Sequence, residues 1–528
     1  MHTKYRFLVA AFSLGLIATF SQTILIRELL VAFTGNELTI SLILALWLIS
    51  VSSGSLIARR IKESTSLPRL VSLLVIIAGI SLLLQVILIR TIRPLIAPIG
   101  ELVSPGMILI LTAIGIVPAA IVLGAIFVGL VTLIRRSFGS PISLTYGLES
   151  LGSTVSGILL SLWLLARLNP MELGFTCVVI SFLTATLLMA RNPMRLYVSV
   201  ILVISIGSIL GVLIGRSIDL GLRQKQWQPL RVIESLDSKY GNIVVTRRGD
   251  MYDFYETGSL SFTVPDAYFA EESIHVPALL HPNPRRVLLI GGTGSGLISE
   301  LAKYPSVSAI DFVELDPRMI ELVERYSPRG WLKRAGIEVK AIYGDARAFV
   351  MRAKGQYDLI IVSVGLPLSL QLNRYYTLEF FRFLKPILSE DGVVAVKLPS
   401  QGAYLGPELA SFVSSVLSAF QRVFPYVELI PGGYIHIIAS DHPLAHVGTN
   451  LIDVFDRSGV EASYVNAYTL WDRLNPLRIS QLDSVVVMHE MPPNTDSRPA
   501  CFSFAMSLWA RRFTSGKMLG KLIAGYNL

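Results

Sequence analysis

Two apolar runs and the residues that end them constrain this chain most. Arg286-Val-Leu-Leu-Ile-Gly291-Gly-Thr-Gly294-Ser-Gly296 carries a short apolar segment into a cluster of glycines. Phe312-Val-Glu314-Leu-Asp316-Pro317 ends a second segment on an acid, 22 residues after Gly292. Unbroken apolar runs of this length read as strands buried on both faces. Glycine lets backbone turn sharply and pass close to a ligand with no Cβ in the way. A strand, a glycine turn and an acid at the tip of the next strand are how an α/β fold holds an adenosine-type ligand. The spacing is G-x-G-x-G, and Leu297 stands where the dinucleotide fingerprint requires glycine, so no pyrophosphate cradle is implied.

The pattern continues on either side. Strands are expected at 286–290, 308–314, 337–342, 357–363, 392–398, 427–430 and 434–439, with helices at 297–304, 317–327, 376–388 and 406–423. Such alternation predicts a doubly wound sheet. Only Pro431-Gly-Gly433 separates the last two strands, which forces an antiparallel pair at the sheet edge and favours the methyltransferase-type Rossmann-like fold over the nicotinamide type. Before it, 231–263 alternates polar and apolar residues around glycine turns, as in a small antiparallel β region, and a helix is expected at 266–280. After it, 441–528 is a mixed extension with a polar loop at Pro492–Pro499 and a basic amphipathic end.

The first 215 residues are of another kind. Charged residues make up only 16% of the chain, and the deficit against an average of roughly 25% sits almost wholly here. Apolar runs near 7–30, 38–58, 70–90, 107–134, 143–166, 171–190 and 196–215 are each long enough to cross a bilayer. The expected organisation is a multi-span α-helical membrane domain of about seven spans at 1–215, a linker at 216–230, the β region at 231–284, the nucleoside-binding domain at 285–440 and the extension at 441–528. Pro118 marks a candidate kink or break in the fourth run.

The net charge of +9 reads as membrane topology and not as nucleic-acid binding. Lys4, Arg6, Arg59, Arg60, Lys62, Arg69, Arg135, Arg136, Arg191 and Arg195 fall on one side, against Arg27, Arg90, Arg93 and Arg167 on the other. This bias puts the N-terminus in the cytoplasm, and seven spans would then put the soluble half outside. A nucleoside cofactor argues for the cytosolic side, and the expectation follows the cofactor: an integral membrane protein whose soluble domain is cytoplasmic. Two cysteines, Cys177 and Cys501, allow no disulfide framework and no metal spacing, and no metal is expected.

Ionisable residues inside the apolar region are costly. Gln22, Arg27, Glu28, Asn36 and Glu37 cluster around the end of the first run, where a mutual salt bridge or an interfacial position would satisfy them. Glu149 lies in the fifth run among Gly147, Ser150, Gly152, Ser153, Ser156 and Gly157, small residues that predict close helix packing.

For the nucleoside, the expected contacts are Gly291, Gly292, Thr293, Gly294 and Gly296 in the turn, Glu314 for the ribose hydroxyls, and Asp345 for an adenine amino group. Leu315 and Ala346, beside the two acids, complete the set.

With these motifs in place the sequence resembles the spermidine synthase (polyamine aminopropyltransferase) family, in the bacterial branch fused to a membrane region. Leu29-Leu-Val-Ala-Phe-Thr-Gly-Asn-Glu37 through Arg60, Leu372-Asn-Arg-Tyr-Tyr376-Thr-Leu-Glu-Phe-Phe381, Phe424-Pro425 and Asn494-Thr-Asp496-Ser-Arg498-Pro499 carry the resemblance along with the glycine turn. It implies transfer of an aminopropyl group from decarboxylated S-adenosylmethionine to an amine, with release of methylthioadenosine.

The family binds its diamine through acids, which hold the ammonium groups and accept a proton. Here Gly294, Ser363 and Leu366 occupy those acid positions, and Tyr240 is followed by Gly241 where the family has glutamine. Serine does not ionise near neutral pH, so Ser363 is a weak occupant of the base position. By the resemblance, Asp266 matches a gate position, Glu271 matches an acceptor residue after a one-residue gap, His275 lies one turn further, and Tyr376 matches a tyrosine near the pocket. A histidine satisfied on a helix face and a packing tyrosine are the plainer readings of the last two.

The expected function is a membrane-anchored aminopropyltransferase-like enzyme that transfers an aminopropyl group to a small amine acceptor. The alternatives are an S-adenosylmethionine-dependent methyltransferase-like enzyme on a membrane or hydrophobic acceptor and a non-catalytic nucleoside-binding sensor or transport accessory. A homodimer is also an expectation.

Overall fold

The computed structural model describes residues 2–511 apart from 62–63, 65, 98–102, 136–137, 139, 190–192, 328–331, 333–335, 401–404 and 445–449. Lys62, Arg136, Arg191 and the basic amphipathic end lie outside the described residues. The chain divides into two compact units, Met1–Gly249 with Phe254–Leu260, and Asp250–Asp253 with Ser261–Leu528.

The first unit is built on long helices. Six of them, Tyr5–Phe33, Glu37–Ala58, Leu67–Ile96, Pro105–Arg135, Pro141–Leu164 and Pro170–Met189, are long and apolar enough to cross a membrane. The last expected run, 196–215, lies in the helix Pro193–Gln226, whose described apolar stretch is Val198–Gly207. Pro118 leaves Pro105–Arg135 unbroken, while the fifth helix finishes in one π turn, Leu160–Leu164. Large apolar side chains point outward, with Leu48, Ile57 and Leu162 each more than 60% exposed. In water such a surface would be unfavourable by its buried-area equivalent; against lipid it is not.

Small residues set how closely these helices pack. A Cβ on Gly152 would lie 2.0 Å from the carbonyl oxygen of Phe12, so the two backbones touch. Ser153 Oγ lies 3.3 Å from both the Gly15 carbonyl oxygen and Glu149 Oε1, either of which can accept its one proton. Of the other small residues expected here, Ser156 Oγ reaches the Leu16 carbonyl, whereas Gly147 and Gly157 face open space.

Several ionisable groups of the first unit pair with residues far away in sequence. Glu28 accepts two bonds from Arg90, at 2.7 and 2.8 Å, and two from Arg223, at 3.0 and 3.3 Å. Arg90 also bonds Asp219 at 2.7 Å, and Arg27 reaches Asp237 at 3.3 Å and the Ser238 carbonyl at 2.8 Å. Asn36 caps Glu37–Ala58 by accepting the Thr39 amide.

Four strands, β1 (Arg231–Asp237), β2 (Asn242–Arg248), β3 (Met251–Glu256) and β4 (Ser259–Val264), form a sheet in chain order, and the division between units falls within its last two strands.

The second unit holds the larger sheet: β5 (Arg286–Gly291), β6 (Ala309–Glu314), β7 (Glu338–Tyr343), β8 (Tyr357–Ser363), β9 (Leu388–Pro399), β10 (Tyr426–Ile430) and β11 (Tyr434–Ser440). Their order is β10-β11-β9-β8-β5-β6-β7. β5 pairs in parallel with β6 and β8, and β11 lies antiparallel to both β9 and β10, as the three-residue link predicts. Val287, Leu288, Leu289 and Ile290 are all buried, which is the burial expected of a central parallel strand. Phe380, Phe381, Phe412 and Phe420 fill one face, with the Phe381 and Phe420 rings 4.0 Å apart. The chain runs from β5 outward through β6 to β7 and then crosses back to β8. The carboxyl end of β5 is therefore a topological switch point, the place where such sheets bind ligands.

Candidate functional site

The glycine turn leaves β5 at that switch point. Gly291, Gly292, Gly294 and Gly296 all have positive φ, from +72° to +85°, so the turn is closed by backbone that side chains would strain. A Cβ on Gly292 would lie 3.1 Å from Ser363 Oγ. Ser363 pairs in register with Gly291, and its buried hydroxyl has no hydrogen-bond partner among the described residues. A buried hydroxyl without a partner costs about 1–3 kcal/mol, so Ser363 is a polar group aimed at the turn and unspent.

Thr293, between the glycines, is 2% exposed and its hydroxyl donates to Glu314 Oε2. Glu314 Oε1 accepts the Asp316 amide at 3.1 Å. Burial pushes the Glu314 carboxyl above the usual carboxylate range, opposed by those bonds. Each oxygen keeps acceptor capacity for a further donor such as a ribose hydroxyl. The turn and the β6 acid thus fit a nucleoside sugar. Leu315 beside it is half-buried.

At the end of β7, Asp345 caps the helix Ala346–Val350 by accepting the amides of Arg347 and Ala348, at 2.8 and 3.1 Å. Its other oxygen is paired with Arg374, which holds the carboxyl below its usual range. Ala346 is buried at the first turn of that helix.

The expected acceptor residues have varied surroundings. Asp266 caps the helix Ala267–Leu279 through the Phe269 amide at 2.9 Å. Glu271, on that helix, accepts three amides, from Ser463, Tyr464 and Val465, at 2.9, 2.6 and 3.0 Å, and so anchors the C-terminal extension. His275 is fully buried between Tyr304 Oη at 2.9 Å and Glu300 Oε2 at 3.0 Å. Leu366 packs against the core. Tyr376 is buried, and its hydroxyl lies 3.0 Å from the Val364 carbonyl and 2.9 Å from that of Gly365, which fixes the loop after β8. Asn494 in turn bonds the Tyr376 carbonyl at 3.0 Å, so the polar loop of the extension supports the same loop. Tyr240 is 42% exposed in the turn between β1 and β2 and belongs to the other unit.

Three residues were not foreseen. Phe262 lies where a side chain on Gly294 would go: a Cβ there would be 2.6 Å from Phe262 Cε2 and 2.9 Å from Val323 Cγ2. Arg374 takes the free oxygen of Asp345. Lys397, on β9, has its amine 3.0 Å from the Phe269 ring centre and 4.3 Å from that of Tyr434. A signal for Lys397 did exist, since it is the one charge in the apolar run Val393-Val-Ala-Val-Lys397-Leu398. Among the described residues no group of His, Cys, Asp and Glu has metal-site geometry.

Comparison with known proteins points the same way. Residues 268–443 match the family described as the spermine/spermidine synthase domain. A polyamine aminopropyltransferase of Bacillus cytotoxicus is 29% identical over 209 residues, which cover 39% of this chain and 69% of that protein. Polyamine aminopropyltransferase 2 of Aquifex aeolicus is 33% identical over 224 residues, covering 40% of this chain and 44% of that protein. A crystal structure of spermidine synthase in complex with the transition-state analogue AdoDATO aligns with a TM-score of 0.41 and 23% identity, over 48% of this chain and 89% of the other. With its seven-stranded sheet and its glycine turn closed by Glu314, the domain at residues 268–443 belongs to the spermine/spermidine synthase family.

Proposed function

We propose that this chain is a membrane-anchored transferase of the aminopropyltransferase type, using decarboxylated S-adenosylmethionine or S-adenosylmethionine and acting on an amine or hydrophobic acceptor. One observation carries the reading: the Glu314 carboxylate is tied to Thr293 inside the glycine turn at the switch point of the sheet. When bound, the co-substrate supplies an alkyl carbon activated by a sulfonium. Glu314 would hold the ribose, beside a turn in which Gly292 and Gly294 let Ser363 and Phe262 pack against the backbone. Ser363 would offer its unpartnered hydroxyl beside the turn. Six apolar helices support anchoring in a bilayer, and the need for a nucleoside cofactor, made in the cytosol, is what favours a bacterial inner-membrane protein with the second unit cytoplasmic.

The second reading, a methyltransferase-like enzyme, is favoured by Gly294. An acid at this position would have to displace Phe262 and adopt a φ of +72°. Without that acid, nothing there marks an aminopropyl amine over a methyl group. Calorimetry on the full chain in detergent, with S-adenosylmethionine, its decarboxylated form and methylthioadenosine, ranks the two. Tightest binding of the decarboxylated form supports aminopropyl transfer, and tightest binding of S-adenosylmethionine supports methyl transfer. Heat-silent titrations with all three would remove both readings.

A further inference from the structure

Lys397 lies toward the carboxyl end of β9, between β8 and β11. Val396 pairs with Val362 and Lys397 pairs with His436, so Lys397 stands level with Ser363 at the edge that carries the glycine turn. Its amine is 2.5 Å from Ser273 Oγ, a hydroxyl that spends its own proton on the Phe269 carbonyl at 2.6 Å. Phe269 and Tyr434 meet edge to face with ring centres 5.9 Å apart, and Tyr268 and Tyr464 extend the cluster. Tyr268 and Tyr464 are 38% and 48% exposed, so the cluster opens to solvent.

The charged and titratable groups around this amine come from three elements. Asp266 and Glu272 belong to the helix Ala267–Leu279 and its cap, His436 and Tyr434 to β11, and Arg473 to the helix Ala467–Arg473. Glu272 is committed to Arg473 through both oxygens, with His436 at 3.9 Å. Burial pushes the Lys397 amine well below the usual lysine range, against the pull of Glu272 and Asp266. It also lowers His436, which keeps that ring neutral. A neutral amine in this setting donates one N–H to Ser273 and keeps its lone pair. Once protonated, it sits over the faces of two aromatic rings, which favour a cation.

We propose that Lys397 is the proton acceptor of this site, serving an alkylamine acceptor held against Tyr268, Phe269 and Tyr434. The inference rests on the reading that the site transfers an alkyl group to an amine. Lys397 takes one proton from the ammonium of the acceptor and becomes an ammonium itself. The freed nitrogen lone pair forms a bond to the carbon attached to the sulfonium. The carbon–sulfur bond breaks with its electron pair left on sulfur, so a neutral thioether departs and the alkylated amine leaves as an ammonium. Lys397 then returns its proton to water through the open side of the cluster. Ser363, a hydroxyl, does not perform this step near neutral pH.

The test uses the full chain in detergent. Trace acetylation with acetic anhydride across a pH series, read by mass spectrometry, gives the titration midpoint of Lys397 beside that of exposed Lys354. A midpoint for Lys397 clearly below that of Lys354 is expected, because burial disfavours the ammonium. Slow reagent access would lower the rate without moving the midpoint. Lys397→Arg keeps the charge and the ring contact but does not give up its proton. Both it and Lys397→Met should lose about 100-fold or more of methylthioadenosine release with alkylamines, with methylthioadenosine affinity within about 2-fold of the unmodified chain. No release from the unmodified chain with any amine overturns the transfer reading, and the role of Lys397 with it. An ordinary lysine midpoint, or a Lys397→Arg chain as fast as the unmodified one, overturns the role of Lys397 alone.

Discussion

The Thr293 hydroxyl donates to the Glu314 carboxylate, joining the turn after β5 to the tip of β6. These strands are parallel neighbours, so the bond closes the crevice at the switch point on one side. A second bond, from the Asp316 amide, fixes the other oxygen. The acid is therefore preorganised, and a ligand hydroxyl would find it already oriented.

That carboxyl titrates above 4.5, its ordinary value, because it is buried. Ribose hydroxyls would donate to the ionised form, so protonation would compete with a bound nucleoside. Methylthioadenosine affinity should fall as pH is lowered, with a midpoint above the ordinary glutamate value. The same shift makes the ionised group a burden on folding at higher pH, so nucleoside-free stability should rise slightly as pH falls through that midpoint. Calorimetry and thermal melts over a pH series check both signs.

Restoring acids should not restore diamine chemistry. Ser363→Asp places one carboxylate beside the turn, but Leu366 and Gly294 still lack theirs, so putrescine turnover should stay near background in a methylthioadenosine-release assay. Gly294→Asp should cost stability, about 1–3 kcal/mol from the positive φ and from overpacking against Phe262 and Val323. A strong gain of putrescine activity from Ser363→Asp alone would show that one acid suffices.

In the first unit, Glu28 is 1% exposed and holds two arginines that are fully buried. Glu28→Ala removes the carboxylate both share, leaving Arg90 with Asp219 at 2.7 Å and Arg223 with Asp237 at 4.0 Å as their remaining acid partners. The expected cost is about 3–5 kcal/mol, read as a lower melting temperature in detergent. Arg216→Ala, which removes an exposed partner of Glu172, should cost less than about 1 kcal/mol.

Glu271 offers a contrast within the second unit. Its carboxylate accepts three successive amides of 463–465. Glu271→Ala should release that segment and cost about 2–4 kcal/mol, since bonds to a charged acceptor are the strong ones. Limited proteolysis would then cut near Tyr464, while methylthioadenosine affinity should hold.

The large sheet was legible because its strands are apolar runs with turns at their ends, and periodicity reports burial directly. The three-residue link at Pro431–Gly433 made the antiparallel edge a matter of chain length. The glycine turn and Glu314 were legible for the same local reason: each marks a strand end. What was hidden is pairing at a distance. Nothing beside Asp345 in sequence says that Arg374 will occupy its second oxygen. Nothing near Glu271 announces the amides of residues 463–465. The polar cluster around Glu28 allowed a salt bridge within it or an interfacial position, but on a helix adjacent residues diverge, and the partners of Glu28 come from helices 62 and 195 residues away. Lys397 broke the apolar pattern of its strand, yet only the folded cluster of Tyr268, Phe269 and Tyr434 gives that break a meaning.

Methylthioadenosine titrated calorimetrically into the full chain and into Glu314→Gln tests the central claim most directly. Glutamine keeps the shape and loses the charge, and a charged acceptor of two ribose hydroxyls is worth about 1.5–3 kcal/mol per bond. The account predicts saturable binding to the unmodified chain and a loss of about 100-fold or more in the variant. Equal affinity in the two chains, or no binding to either, would contradict it.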